Sequence, residues 1–242
     1  MENLYLYINL FTLAGPFLLS FDKKVAFWRT WFALFPAILI MAAVFIPWDV
    51  AFAAEGVWGF NGAYLSGVYL FGLPLGEWLF FLTVPYACVF IYACLNAYFP
   101  RHGNIKLVYR GTGLIGLTLI AIGAWGFPQL YTGITFTAAG LYLYWLGRIR
   151  KPSYLGKMWN AYLVAFIPFI LVNGVLTGSG IENQVVWYNS DHIFNIRLGT
   201  IPIEDTVYNL LMLFMTMDAY EGIMQRRYPS SGSQSQRSPD NQ

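Results

Sequence analysis

Two five-residue stretches, 128 positions apart, carry the most suggestive chemistry in the chain: Leu73-Pro74-Leu75-Gly76-Glu77 and Ile201-Pro202-Ile203-Glu204-Asp205. Each runs from an apolar residue through proline to an acid, which suits the first turn of a helix opened by proline. Glu77 and Asp205 form a matched pair, Glu204 adds a third carboxyl group, and Asp49 supplies a fourth at the outer end of an earlier apolar run. Carboxylates at such places can simply complement the helix dipole, and Glu204 could fold back as a cap. A repeated pair beside a large aromatic surface favours a functional reading, because an acid in lipid is costly and is usually retained for chemistry. If one acid keeps its proton while a neighbour stays ionised, the cluster holds both a general acid and a base. Aromatic faces could then steady a cation in a dry cavity, with Trp58, Trp78, Phe80, Phe81, Trp187 and Tyr188 as candidates.

The elements that must position these residues follow from composition. The chain has 242 residues, of which 57% are hydrophobic and only 11% charged. A soluble domain would need far more polar cover, so lipid is the expected solvent. A helix crosses the bilayer core with roughly 20 apolar residues. Seven runs approach that length, at about 3–20, 30–47, 75–98, 107–125, 129–146, 159–176 and 204–223. The expected fold is therefore an all-α, multi-pass membrane protein of seven transmembrane helices. Thirteen of the 14 basic residues fall at alternate breaks between these runs, leaving only Arg197 opposite. By the positive-inside rule this puts the N-terminus outside a cell membrane and the C-terminus in the cytoplasm. A net charge of +2, with no basic run, excludes a nucleic-acid partner.

The offset of 128 also aligns Tyr92 with Tyr220, and Gly56-Val57-Trp58-Gly59-Phe60-Asn61 resembles Val185-Val186-Trp187-Tyr188-Asn189 one residue out of register. The chain thus divides into a first repeat (1–98), a linking helix (99–128), a second repeat in the same orientation (129–228) and a disordered polar tail (229–242). Other patterns lead nowhere. Gly111-Thr112-Gly113-Leu114-Ile115-Gly116 spells a dinucleotide fingerprint, but it lacks the βαβ unit and the following acid, and better suits close helix packing. His102 and His192 fall on opposite membrane faces, so no metal is expected. Cys88 and Cys94 lie six apart on one helix and cannot pair. The last helix has no lysine for a retinal Schiff base.

Several of these stretches resemble the membrane-embedded, heterodimeric-type lycopene cyclases, with both small subunits fused in one chain. They are Pro47-Trp48-Asp49, Gly56 to Asn61, Leu73 to Phe81 with Val84-Pro85-Tyr86, Asn173-Gly174, Val186-Trp187-Tyr188 and Leu198 to Asp205. The resemblance spans nearly everything but the tail. It implies a lycopene β-cyclase, an isomerase that closes the ends of a linear carotenoid drawn from the bilayer, among membrane lipids and other carotenoid enzymes, without a cofactor. The family pattern places two acids after the proline in both halves, whereas Gly76 fills the first of those places here. On that ground Glu204 and Asp205 rank above Glu77 as catalytic candidates, with Asp49 behind them. The alternatives are a cyclase of C50 or ε/γ type and, from another class, a non-catalytic lipid-binding or transport protein whose acids bind ions.

Overall fold

The computed structural model describes residues 2–99 and 104–228. The tail from 229 and His102 lie outside the described residues. Each of the seven apolar runs is a helix: α1 Leu4–Leu19, α2 Trp31–Ala54, α3 Leu75–Tyr98, α4 Ile105–Trp125, α5 Leu130–Tyr144, α6 Leu155–Leu176 and α7 Ile203–Arg227. Four helical segments (α2 with the short turn before it, α3, α4 and α6) are long and apolar enough to cross a membrane. The other three depart from the pattern for separate reasons. α1 has only 16 residues, α5 has 15 before it loosens into a π-helical turn over Trp145–Arg150, and α7 carries Glu204, Asp205, Asp218, Glu221 and two terminal arginines. Apolar side chains such as Phe11, Leu39, Leu107, Leu114 and Leu163 stay exposed on the outer faces, the inverse of a water-soluble surface.

α2 runs seven residues beyond the expected boundary at 47, because Pro47 lies within a helix that continues to Ala54. Asp49 is therefore a helical residue inside the bundle. The connections from α2 to α3 and from α6 to α7 are also not featureless. They contain six short strands: β1 Trp58–Phe60, β2 Tyr69–Leu70, β3 Leu73–Pro74, β4 Val186–Tyr188, β5 Arg197–Leu198 and β6 Ile201–Pro202. β2 pairs with β3 and β5 with β6 as hairpins, at equivalent places in the two halves. β1 pairs antiparallel with β4, Trp58 opposite Tyr188 and Gly59 opposite Trp187. Asn61 N–H donates to Val185 O while Asn189 N–H donates to Val57 O, a reciprocal exchange that relates the halves by a local two-fold axis. Trp187 lies across the glycine it faces: a Cβ on Gly59 would be 2.3 Å from its ring.

Glycine also sets the packing of α4 on α5. A Cβ at Gly116 would be 2.6 Å from Tyr144 N, and one at Gly147 would be 2.6 Å from Gly113 N. The glycine pattern at 111–116 thus serves backbone approach, as small residues do between membrane helices. At the opposite end of the bundle, Asp218 pairs with Arg150 and accepts hydrogen bonds from Tyr142 (3.0 Å) and Tyr154 (2.8 Å), tying α7 to α5 and α6.

Candidate active site

Both prolines that precede an acid do the same local work. Pro74 and Pro202 adopt φ −67° and −58°, close a two-residue strand, and hand the chain directly to α3 and α7. Proline has no N–H to leave unpaired at a helix start, and its fixed φ suits that position. Glu77 and Asp205 consequently stand in the first turns of α3 and α7, aimed into the bundle. Asp49 reaches the same place from α2. All three are buried, and together they line one cavity of about 50 Å³ between the two halves.

The three carboxyl groups differ sharply in their partners. Asp205 accepts three hydrogen bonds: Tyr131 O–H on Oδ1, and Asn173 Nδ2 and Tyr188 O–H on Oδ2, each at 2.8 Å. An ionised carboxylate only accepts, so three donors match its inventory. Glu77 accepts one, from Tyr5 O–H at 2.5 Å. Asp49 accepts none among the described residues, and its Oδ2 is buried without a partner. The Tyr208 hydroxyl and both ends of the Asn209 amide, which line the same cavity, are also buried and unpartnered. Each such group costs about 1–3 kcal/mol in an ordinary core. Four of the ten such atoms among the described residues gather at this one cavity, which sets it apart from ordinary packing.

Aromatic rings close the walls. Trp58 meets Tyr131 edge-on at 4.9 Å, Tyr131 stacks on Tyr188 at 6.0 Å, and Tyr208 stands edge-on to Trp58 at 6.3 Å. Their π faces offer the negative potential that a carbocation needs in a space with little water. Tyr188, outside the helices, is held protonated: burial and the Asp205 carboxylate push its phenol well above the usual range, so it stays a donor.

The residues singled out in the sequence separate into two groups. Asp49, Glu77, Asp205, Trp58, Phe80 and Tyr188 come together around the cavity. Glu204, Trp78, Phe81 and Trp187 do not line it. Glu204 is fully buried, but its Oε1 accepts from Thr132 O–H (2.6 Å) and Phe194 N–H (2.8 Å), joining α7 to α5 and the outer connection. It forms no cap on its own helix. Trp78 donates from Nε1 to Leu70 O in the first hairpin, Phe81 packs near Phe45, and Trp187 lies across Gly59. Gly76 is explained by its neighbour, since a Cβ there would be 2.5 Å from the Tyr5 ring that serves Glu77.

Sequence reasoning passed over Tyr5, Tyr131, Tyr208 and Asn209, and named Asn173 only as part of a motif. Asn173 and Asn209 carried a signal, because an amide within an apolar run needs a partner. The tyrosines carried none that set them apart from the other 14. Among the described residues, no group of three or more His, Cys, Asp or Glu side chains could hold a metal ion. A family model described as lycopene cyclase matches the chain twice, over residues 2–95 and 128–223. No curated protein and no solved structure matches.

Proposed function

The chain belongs to the lycopene cyclase family, and from that membership we propose that it is a lycopene β-cyclase, turning lycopene into γ- and then β-carotene by proton-initiated ring closure. One observation carries the mechanism: three carboxyl groups with unequal hydrogen-bond partners share one aromatic-walled cavity.

Ring closure is an isomerisation. A proton adds to the terminal double bond and leaves a tertiary cation. The nearby alkene attacks that carbon, forming the ring bond and moving the cation onto the ring. Loss of a ring proton restores a double bond, so one proton enters, one leaves, and no electrons are exchanged. We assign the entering proton to Asp49, because a neutral carboxylic acid brings its own O–H and suits a position where no donor faces it. Asp205, held by three donors, acts as the fixed anion that balances the cation, a preorganised charge in a water-poor site. Glu77 has its second oxygen uncommitted and takes the leaving proton. Two carboxyl groups in one dry cavity readily share a single proton, so passage from Glu77 to Asp49 resets the site. Glu204 then serves the frame. The seven helices span the membrane with the N-terminus outside and the acids near the outer face, in keeping with the placement of the basic residues.

The test is pigment analysis in a host that accumulates lycopene. Expression of the chain should replace lycopene with monocyclic and bicyclic carotene whose rings are of the β type. Unchanged lycopene at confirmed membrane expression would defeat the proposal, and ε or γ rings would redirect it to a different site of proton loss.

A further inference from the structure

An apolar groove of about 360 Å³ lies between α1, α3 and α6, on the outside of the bundle. Its floor is shaped by small residues: Gly15 on α1, Ala87 on α3 and Ala165 on α6. Only two of its lining residues, Thr12 and Asn173, are polar, and both are committed, Thr12 to Ile8 O and Asn173 to Asp205. A ligand with a polar head has nothing to bind there. Phe80, Phe169 and Asn173 line both this groove and the carboxyl cavity, so a single partition separates the two. Along α3 the groove extends from Phe80 to Ile91. At a rise of about 1.5 Å per residue that is roughly 16 Å, near half of a bilayer core of about 30 Å.

We propose that this groove seats the polyene chain of the substrate, with the reacting end passing between Phe80 and Phe169 to reach the acids. The proposal rests on the cyclase reading and adds the route and the specificity surface. A linear hydrocarbon lies in the groove side-on from lipid, running across the membrane as acyl chains do, and needs no water-facing opening. The cavity at the acids is far smaller than a ring-forming end, so Phe80 and Phe169 must turn aside to admit it. Because the groove leads to one set of acids, the two ends of a C40 chain are closed in separate binding events. Asn173 links the partition to the chemistry, since the amide lining it is the same one that holds Asp205.

Gly15 supplies the test, because a side chain added there meets no atom within 4 Å and would project into open groove. Gly15→Trp should fill it, and Leu171→Trp, from the exposed lining of α6, should do so from the other wall. Leu10→Trp, on α1 but outside the groove, controls for added bulk. In liposomes of graded lycopene content, both groove variants should lose at least tenfold in initial rate at low lycopene and recover part of it at high lycopene, with Leu10→Trp unaffected. Retention is read separately in an Asp49→Asn background, where lycopene should co-purify with the protein and be lost on adding Gly15→Trp. Unchanged rates and retention in both groove variants would overturn the proposal while leaving the cyclase reading in place. Co-purified phospholipid, in place of lycopene, that Gly15→Trp displaces would also overturn it. A chain that forms no ring yet retains lycopene through this groove would defeat the cyclase reading and uphold the groove.

Discussion

The two halves repeat one backbone, share one tyrosine–acid pair at the cavity and diverge at most of the other positions that touch it. Glu77 and Asp205 are equivalent, and so are Tyr5 and Tyr131, which each donate to the acid of their own half. Around that shared pair the halves differ. α2 and α6 start 124 residues apart, and the bonds Val57 N–H to Phe52 O and Val185 N–H to Leu176 O keep the same offset at their ends, which makes Asn173 the counterpart of Asp49. One half offers an acid where the other offers an amide. Phe80 likewise corresponds to Tyr208, and Gly76 to Glu204. In the second half the amide is spent on fixing Asp205, the residue we assign as the held charge. In the first half the equivalent position carries a carboxyl group that accepts no hydrogen bond among the described residues, and to it we assign the entering proton. The repeat gives the site its symmetry, and the proposed chemistry draws on the places where that symmetry is lost.

Making the halves alike again should have the largest effect. Asp49→Asn matches the first half to the second and removes the donor, and ring formation in liposomes should fall by about 10²–10⁴, the usual worth of general acid catalysis. A rate near that of the unaltered chain would mean that the proton comes from elsewhere. A smaller loss should follow from weakening the held charge. Tyr188→Phe deletes one of three donors to Asp205. A hydrogen bond to a charged group contributes about 1.5–3 kcal/mol, so a fall of about 10- to 100-fold is expected, whereas an unchanged rate would show that the three donors are redundant. The smallest effect on rate is expected at Glu204. Glu204→Ala should leave turnover close to normal but lower the stability by about 1–3 kcal/mol, because Thr132 O–H and Phe194 N–H lose their acceptor. Thermal unfolding in detergent would register that loss. A collapse in rate without loss of stability would return Glu204 to the chemistry.

The sequence was most informative where physics acts over long stretches. Apolar runs placed seven helices, and proline followed by an acid located two helix starts to within a residue or two. It was least informative about facing. Neighbouring residues on a helix point about 100° apart, and here Glu204 turns to Thr132 and Phe194 while Asp205 turns to the cavity, a division that adjacency in the sequence does not show. The counterpart of Asp49 was hidden for a different reason. Val185 follows Leu176 by nine positions where Val57 follows Phe52 by five, so the offset of 128 that aligns the strands and α7 misses Asn173 by four. Two- and three-residue strands such as β2 and β4 are too short to show a period, and the outer connections therefore read as plain loop. Gly76 looked like a missing acid, yet it is the space that Tyr5 occupies.

The pairing of β1 with β4 bears on how the protein is made. α4 and α5 are joined through helix faces that follow one another in the chain, but the two strands of this clasp start 128 residues apart. Contacts between distant parts of a chain form slowly, because a long loop must close before they contribute. The cover over the acids is therefore expected among the last features to form. Until the second half is made, Asp49 and Glu77 lack the third carboxyl group of their cavity, Asp205, and the wall formed by Tyr131, Tyr188 and Tyr208. On the assignment proposed above, a pocket able to move a proton is expected only once the second half meets the first.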